Sequence, residues 1–505
     1  MKKRALLHVS DETGIVDFAQ FLVMKGYELI STGKTYKILI ENKVVVQNMY
    51  EFTGFREILD GAMKTLHPNV YGGILVDREN LNHMKEIMEH NIELIDLVVA
   101  NAYPFEEKIE KISIETTNLI RASAKNHAYI TVIVDSNDYY KFISELNEEG
   151  AITLETRKKF AAKAFRYTAA YDAIVASYLT EEEYPEKLTL TYDKVRETTY
   201  GENPHQTGAI YEETSPKRFV GKALRLKGES PSFNNTNDAD LALSLVSEFI
   251  KPTCVFVKHL NPIAVASAEN FLDAFTSLNE EVKSVFGSVI AFNGVVEEDV
   301  AELLVKTNLQ LILAPDFTEK SLEILEMNES LIILAIETSY KVSSKKMFGI
   351  EGGLLIGEPD ADQQLDLNVV TERQPSDEEI DACLYADTIV KYAKSSAVVI
   401  SDGKKTLGIG TGQASRRKAA ILAFAEAKMQ ANKGGLLEQT PQRFAGAVLA
   451  SDSFFCELST IEKAHEAGIT CIIQPGDGTN NKEAIEICNK YGIAMILTGI
   501  RHFRH

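Results

Sequence analysis

No apolar run in the sequence approaches the roughly 20 residues that a membrane-spanning helix needs, which argues against a membrane-embedded chain. The start comes nearest to a targeting segment. Met1-Lys2-Lys3-Arg4 precedes Ala5, Leu6, Leu7, His8 and Val9, but that apolar run is too short for a signal peptide, and polar Ser10 and Asp11 follow directly. Cysteine is scarce: five residues, scattered and without CxxC spacing, exclude a disulfide framework and read as reduced thiols of a cytoplasmic protein. Metal-ligand motifs are missing as well, with no HExxH, no EF-hand loop and no HxE paired with PCxxC. No metal is expected. Positive charge is in short supply, the formal net charge being -20. A general nucleic-acid binder shows the opposite balance, because phosphate binding rests on Lys and Arg. An acidic protein can still hold an anion where cations and backbone N–H groups converge.

What is present is ordinary for a packed protein, 45% hydrophobic and 25% charged. At 505 residues two or three domains are expected. The first third alternates strand and helix. Residues 5–9 read as a strand, 11–26 as a helix capped by Asp11, 28–31 as a strand and 35–41 as a helix. Strand 96–100, helix 121–128 and extended 130–135 follow. Residues 156–180 are helical up to the acidic, Pro185-containing stretch 181–186. This order predicts an α/β fold with a parallel sheet covered by helices and a junction near residue 190. The remainder carries a diffuse repeat. Strand 289–292, a helix from Glu298, strand 311–315, a helix from Thr318 and strand 331–336 match 447–450, 458–467, 471–475, a helix from Lys482 and 494–498. Two related halves, about 191–365 and 366–505, are the simplest account.

Several segments could carry chemistry. Ser31-Thr32-Gly33-Lys34-Thr35 ends a strand and opens a helix, yet position 28, where a Walker loop needs its first glycine, is Glu28. Such a turn either binds one phosphate or is an ordinary connection, and the residues alone leave both open. Gly408-Ile409-Gly410-Thr411-Gly412-Gln413 departs from GxGxxG and is equally a ligand loop or a tight turn. Lys258-His259 follows the apolar run 254–257, either as a cation with a general base or as a solvated strand end. Lys64-Thr65-Leu66-His67-Pro68 and Asn101-Ala102-Tyr103-Pro104-Phe105 read singly as loops.

Together and in this order, these segments resemble the bifunctional AICAR transformylase/IMP cyclohydrolase family, which performs the last two steps of purine synthesis. The resemblance spans nearly the whole chain. It adds Arg121-Ala122-Ser123-Ala124-Lys125-Asn126-His127, Tyr200-Gly201-Glu202-Asn203-Pro204-His205-Gln206, Ser232-Phe233-Asn234-Asn235 and Val285-Phe286-Gly287. It ends on Ser451-Asp452-Ser453-Phe454-Phe455 and on Thr498-Gly499-Ile500-Arg501-His502-Phe503-Arg504-His505. The resemblance implies a methylglyoxal-synthase-like three-layer cyclohydrolase domain over 1–190. It implies a transformylase over 191–505 built of two cytidine-deaminase-like halves without zinc. It further implies 10-formyltetrahydrofolate as co-substrate and a homodimer whose transformylase site lies between subunits.

The same resemblance assigns roles. For formyl transfer it points to His259 as base with Lys258 beside it. Asn203, His205, Gln206, Asn234, Asn235, Asn261, Phe286, Gly287, Phe454, Phe455 and Arg501 would contact substrate. For ring closure it points to Lys64, Tyr103 and Lys125, with Ser10, Ser31, Thr32, Gly33, Thr35 and Thr65 around the substrate and its phosphate. Several family positions are changed. Glu12 replaces a Lys, Ala62 an Arg, Ser113-Ile114-Glu115-Thr116 an Asp-Ile-Gly-Gly run, Thr199 an Arg, Ser396 an Asn and Ile263-Ala264 a Cys-Gly. The losses fall most heavily on the cyclohydrolase half, so a half-active or non-catalytic relative that binds a purine nucleotide or a partner protein is the alternative expectation. Lys34, absent from the usual Ser-Thr-Gly-Gly-Thr run, is the one added cation that could offset them.

Overall fold

The computed structural model describes residues 2–59, 63–105, 108–213, 219–278, 282, 285–339, 345–361, 365–432, 444–454, 458–476 and 481–505. The chain forms two compact units, Met1–Thr191 and Tyr192–His505. In the first unit β1 (Lys3–Val9), β2 (Tyr27–Ser31), β3 (Gln47–Asn48), β4 (Leu97–Asn101) and β5 (Thr131–Ile133) form a parallel sheet in the order β3-β2-β1-β4-β5. The connecting helices are α1 (Ile15–Met24), α2 (Gly33–Glu41), α3 (Met49–Thr53), α4 (Pro68–Leu75), α5 (Leu81–Glu89), α6 (Ile114–Lys125), α7 (Tyr139–Glu149) and α8 (Leu154–Leu179). Alternate strand residues feed two cores, as the two-residue period of a strand requires. Ala5, Leu7, Leu97 and Val99 pack with Phe18, Leu22 and Phe142 of α1 and α7. Leu6, Val98 and Ala100 pack with Ile74, Leu119 and Ala164 of α4, α6 and α8. Burial on both faces explains why these strands read as unbroken apolar runs.

Two local expectations are corrected. Asp11 does not cap α1: its Oδ1 accepts from Thr13 N and Oγ1, and the helix starts after Gly14, whose φ of 66° is the left-handed geometry glycine permits. Helix α6 begins at Ile114 rather than 121. Its buried first turns are Glu115, Thr116 and Thr117, polar residues that broke the apolar period used to find it. The loop expected over 64–68 runs straight into α4, with Pro68 in the first turn of the helix and the His67 ring accepting from Asn69 N.

The second unit opens with a ribbon of β6 (Tyr192–Thr198) and β7 (Gly208–Glu213). The first large sheet contains β8 (Leu224–Lys227), β9 (Thr253–Lys258), β10 (Asn261–Ser267), β11 (Ser288–Phe292), β12 (Leu309–Ala314) and β13 (Ile332–Ala335). Helix α9 (Phe233–Val246) precedes β9. A second ribbon, β14 (Lys346–Ile350) with β15 (Gly353–Gly357), follows. The other large sheet contains β16 (Asn368–Val369), β17 (Val398–Ser401), β18 (Thr406–Gly410), β19 (Val448–Ser451), β20 (Cys471–Gln474) and β21 (Ala494–Leu497). The orders β10-β9-β11-β12-β13-β8 and β18-β17-β19-β20-β21-β16 are the same path, with the same parallel and antiparallel steps. The repeat seen in sequence is therefore a repeat of topology. The sheets meet along β10 and β18, where Ser267 N donates to Lys404 O at 2.7 Å and Val265 N to Thr406 Oγ1 at 3.1 Å. One core runs through both halves, joining Val255, Val257 and Leu311 to Val399, Ala450 and Ile473, with α9 and the helix Asp377–Val390 against it.

Candidate functional sites

In the first unit the neighbours β2, β1 and β4 end together. This brings Ser31–Gly33, Ser10 and Asn101–Tyr103 to one edge of the sheet, the usual ligand edge of a parallel sheet. Ser10 N donates to Asn101 Oδ1 at 2.7 Å, and Ser10 Oγ lies 2.8 Å from Asn101 Oδ1 and from Ala102 O. Asp11 N reaches the same Asn101 oxygen at 2.9 Å. Ser31 is buried with its hydroxyl on Leu7 O at 2.8 Å, and Thr35 Oγ1 pairs with Val9 N and O at 3.0 Å each. These two hydroxyls are held by β1. What the edge offers an anion is the start of α2 after Thr32, together with Lys64, whose Nζ lies 3.9 Å from where a Cβ on Gly33 would stand. Tyr103 is 49% exposed.

Two acidic departures have partners. Glu12 Oε1 is 2.5 Å from Lys34 Nζ, so the reversed charge at position 12 faces a new cation at 34. Glu12 raises the Lys34 pKa, with Tyr103 adding slightly. Glu115 is buried, and its Oε1 accepts from the backbone N–H of Lys64 at 2.5 Å, Thr65 at 2.8 Å and Leu66 at 3.3 Å. It is thus an anchor of the lysine loop. Sequence reasoning treated Glu115 as damage and did not mark His8. Burial, then the nearby Lys64 ammonium, push the His8 pKa down to about 4. Thr65 is fully buried, and its Oγ1 has no hydrogen-bond partner among the described residues. Lys125 ends α6, ten residues beyond Glu115 and so about 15 Å along the helix. It lines an open cavity of about 400 Å³ with Leu66, Tyr71, Arg121 and Phe165. Tyr103 is not among the residues lining that cavity. Ala62 lies outside the described residues.

In the second unit β9 and β10 pair Lys258 with Asn261, leaving His259-Leu260 as a two-residue turn. Both have left-handed φ, 55° and 59°. Such hairpins favour Asn-Gly, and other residues there cost on the order of 1 kcal/mol or more each. His259 is exposed at the tip. Lys258 Nζ donates to Phe286 O, beside Gly287 with φ 74°. Asn261 Nδ2 donates to His259 O and its Oδ1 accepts from Lys394 N, both at 3.1 Å, which ties the turn to the other half. There Ser396 N donates to Gln413 O at 3.0 Å, and Gly412 N to Lys394 O at 2.7 Å. The loop Asn203–Gln206 is exposed and closed by Gln206 Oε1 on Asn203 N at 2.8 Å. Asn234 Nδ2 holds it through Glu202 O at 3.1 Å. Asn235 is buried in the first turn of α9, and its backbone N–H donates at 3.1 Å to the hydroxyl of Ser232, which caps the helix.

The end of the chain lies against the second sheet. Ser395 N donates to Arg504 O at 2.8 Å and His502 N to Asp452 O at 3.1 Å. Arg416 stacks over Phe454 and Phe503 with centroid distances of 5.3 and 5.6 Å, and Arg501 over Phe503 at 4.1 Å. Asp452 is fully buried with Arg416 Nε 3.6 Å away, and burial pushes its pKa up. Neither Arg416 nor Asp452 was marked as a site residue from sequence. Phe455 lies outside the described residues. Among the described residues no three His, Cys, Asp or Glu side chains could hold a metal ion, and no helix is long and apolar enough to cross a membrane.

His502 supplies a pH prediction. Its Nδ1 is 2.8 Å from Asp360 and its Nε2 3.6 Å from Asp387. Burial alone would lower its pKa, but the two carboxylates outweigh burial and push it up to about 9. A raised histidine stabilises the fold fully below its unfolded value near 6.5 and loses that contribution as pH climbs through the folded value. Urea unfolding followed from pH 6.5 to 9.5 should show a loss on the order of 2–3 kcal/mol, and His502→Gln should flatten that slope.

A parallel sheet with an anion-ready helix start at its carboxyl edge, followed by paired mixed sheets with a Lys-His turn where they meet, defines a two-unit α/β enzyme. The model of the AICARFT/IMPCHase bienzyme family matches residues 123–426, and that of MGS-like domains matches residues 14–127. The bifunctional purine biosynthesis protein PurH of Anoxybacillus flavithermus is 43% identical over 526 residues, covering all of both chains. Those of Listeria monocytogenes and Bacillus cereus are 44% and 43% identical, again over the whole of both chains. The chain belongs to the AICARFT/IMPCHase bienzyme family.

Proposed function

We propose that the second unit transfers a formyl group from 10-formyltetrahydrofolate to AICAR and that the first closes the product, FAICAR, to IMP. The two activities of this bifunctional purine-biosynthesis enzyme are phosphoribosylaminoimidazolecarboxamide formyltransferase and IMP cyclohydrolase. In the first step the 5-amino nitrogen attacks the formyl carbon, loses a proton, and the folate nitrogen leaves protonated. His259 takes the proton and Lys258 supports the developing charge or protonates the folate nitrogen. Arg501 and Phe454 offer anion and ring contacts near the chain end. In the second step the carboxamide nitrogen attacks the formyl carbon of the same molecule and water leaves, so alignment is most of the task. Lys64 and Tyr103 sit at the sheet edge to polarise and align. Neither step as drawn uses a metal.

The observation that carries this assignment is the His259 turn, a costly backbone geometry fixed from both halves and carrying an exposed imidazole. Assay of both half-reactions on one preparation tests it. Formation of FAICAR without its conversion to IMP would leave only the second unit assigned. The exposed apolar ribbon residues Phe348, Ile350, Leu354 and Leu355 support a homodimer that covers them, with a cytoplasmic location. Sedimentation of the purified chain as a monomer would remove the dimer.

Lys34 takes the phosphate contact that a family lysine at position 12 would make. Lys34→Ala is expected to weaken IMP binding to the first unit by about 10-fold or more, the scale of one charge-assisted hydrogen bond. Glu12→Gln, which frees Lys34, should tighten it. Titration calorimetry with IMP reads both. Equal affinity in all three proteins would remove Lys34 from the cradle.

A further inference from the structure

We propose that Asp238 is a positioning residue of formyl transfer, holding the His259-Leu260 turn in its left-handed form through both backbone N–H groups. The inference rests on the assignment of His259 as the base. A two-residue hairpin with φ of 55° and 59° favours Asn-Gly, and this chain has His-Leu there. Something outside the hairpin must hold it. Asp238 lies in the second turn of α9 and is buried. Its Oδ2 accepts from His259 N at 3.1 Å and its Oδ1 from Leu260 N at 2.6 Å. One carboxylate thus spans both residues of the turn. Four residues earlier on the same helix, Asn234 holds the carbonyl of Glu202, next to the loop with Asn203, His205 and Gln206. Residues four apart share a helix face, so one face of α9 sets the turn that bears the base and steadies the loop assigned to the nucleotide.

The chemistry of the anchor makes the idea testable. A carboxylate offers an acceptor oxygen to each N–H group, whereas an asparagine of the same shape offers one oxygen and presents its own N–H₂ to the other donor. Asp238→Asn should therefore release one end of the turn with little change of volume. Misplacing a catalytic group by about 1 Å costs on the order of 100-fold. Formyl-transfer kcat is expected to fall by roughly 10- to 100-fold. KM for AICAR should change little, and ring closure of FAICAR on the same preparation should be unaffected. Leu260→Gly, which eases the left-handed geometry, should restore part of the loss in the Asp238→Asn background. Should Asp238→Asn alone not accumulate as folded protein, the paired variant is compared with Leu260→Gly in its place.

A double-mutant cycle with His259→Ala decides how Asp238 acts. If it acts only through His259, Asp238→Asn adds nothing in the His259→Ala background. Multiplying losses would overturn the proposal while leaving His259 as base, and so would an unchanged kcat in Asp238→Asn. A His259→Ala protein with normal formyl transfer would instead overturn the base assignment, and the positioning role would fall with it.

Discussion

His259→Ala is expected to lower formyl transfer by about 10²- to 10⁴-fold, the contribution of a positioned general base, and to leave ring closure unchanged. The 5-amino group of AICAR is conjugated with its ring and carboxamide, so it is a poor nucleophile until its proton is being removed. The structure offers one imidazole at the tip of the β9–β10 turn, with Lys258 at its root and Asn261 joining it to the Lys394–Ser396 segment. Lys258 Nζ already rests on Phe286 O, which sets the ammonium beside the turn and the backbone of Gly287 within its neighbourhood. Because base and cation come from adjacent residues on one strand end, their losses should be coupled. Lys258→Met combined with His259→Ala should cost less than the product of the separate losses. Initial rates of FAICAR formation, with conversion of added FAICAR to IMP as the internal control, check both statements. Formyl transfer that survives His259→Ala would move the base elsewhere.

Much of the fold was legible because each layer has its own period. Strands β1, β4, β9 and β11 are buried on both faces and stand out as apolar runs. The repeat was visible through Pro315 and Pro475, which follow β12 and β20 at matching places. Helix α6 was read too short because its first turns are polar. Glu115, Thr116 and Thr117 of α6 are buried, and the Glu115 carboxylate and Thr117 hydroxyl are hydrogen-bonded there, which no hydropathy pattern reports. The candidate sites were legible only as segments. Nothing in the spacing of Glu12 and Lys34, 22 positions apart, announces an ion pair, yet the pairing at 2.5 Å turns two apparent departures into one exchange. Asp238 and Asp452 were silent for the same reason: their partners are 21 or more residues away and are backbone groups or another buried charge. Ser31 and Thr35 carry bonds that their motif does not announce. They stand in a phosphate-like motif but spend their hydroxyls on β1.

Glu115→Ala should be the most damaging single change in the first unit, although sequence comparison alone marks Glu115 as the intruder. Its carboxylate accepts three consecutive backbone N–H groups, from Lys64, Thr65 and Leu66, in a place where Thr65 is fully buried. Hydrogen bonds to a charged group contribute roughly 1.5–3 kcal/mol each, and a buried donor left without an acceptor carries its full desolvation cost. Removing the acceptor strands three donors at once, so a loss of about 3 kcal/mol or more is expected in urea unfolding of the first unit. The same bonds place Lys64 against Gly33 at the edge of the sheet. A loop freed from Glu115 lets the ammonium drift, and ring closure should drop by about 10- to 100-fold even where the protein remains folded. Glu115→Gln keeps the shape and one acceptor oxygen, so it should fall between wild type and Ala on both measures. Formyl transfer, carried by the other unit, should not follow. If Glu115→Ala closes the ring at the wild-type rate with unchanged stability, Glu115 is not the anchor of the lysine loop, and the exchange of the family's Asp-Ile-Gly-Gly run for Ser113-Ile114-Glu115-Thr116 is left without a structural account.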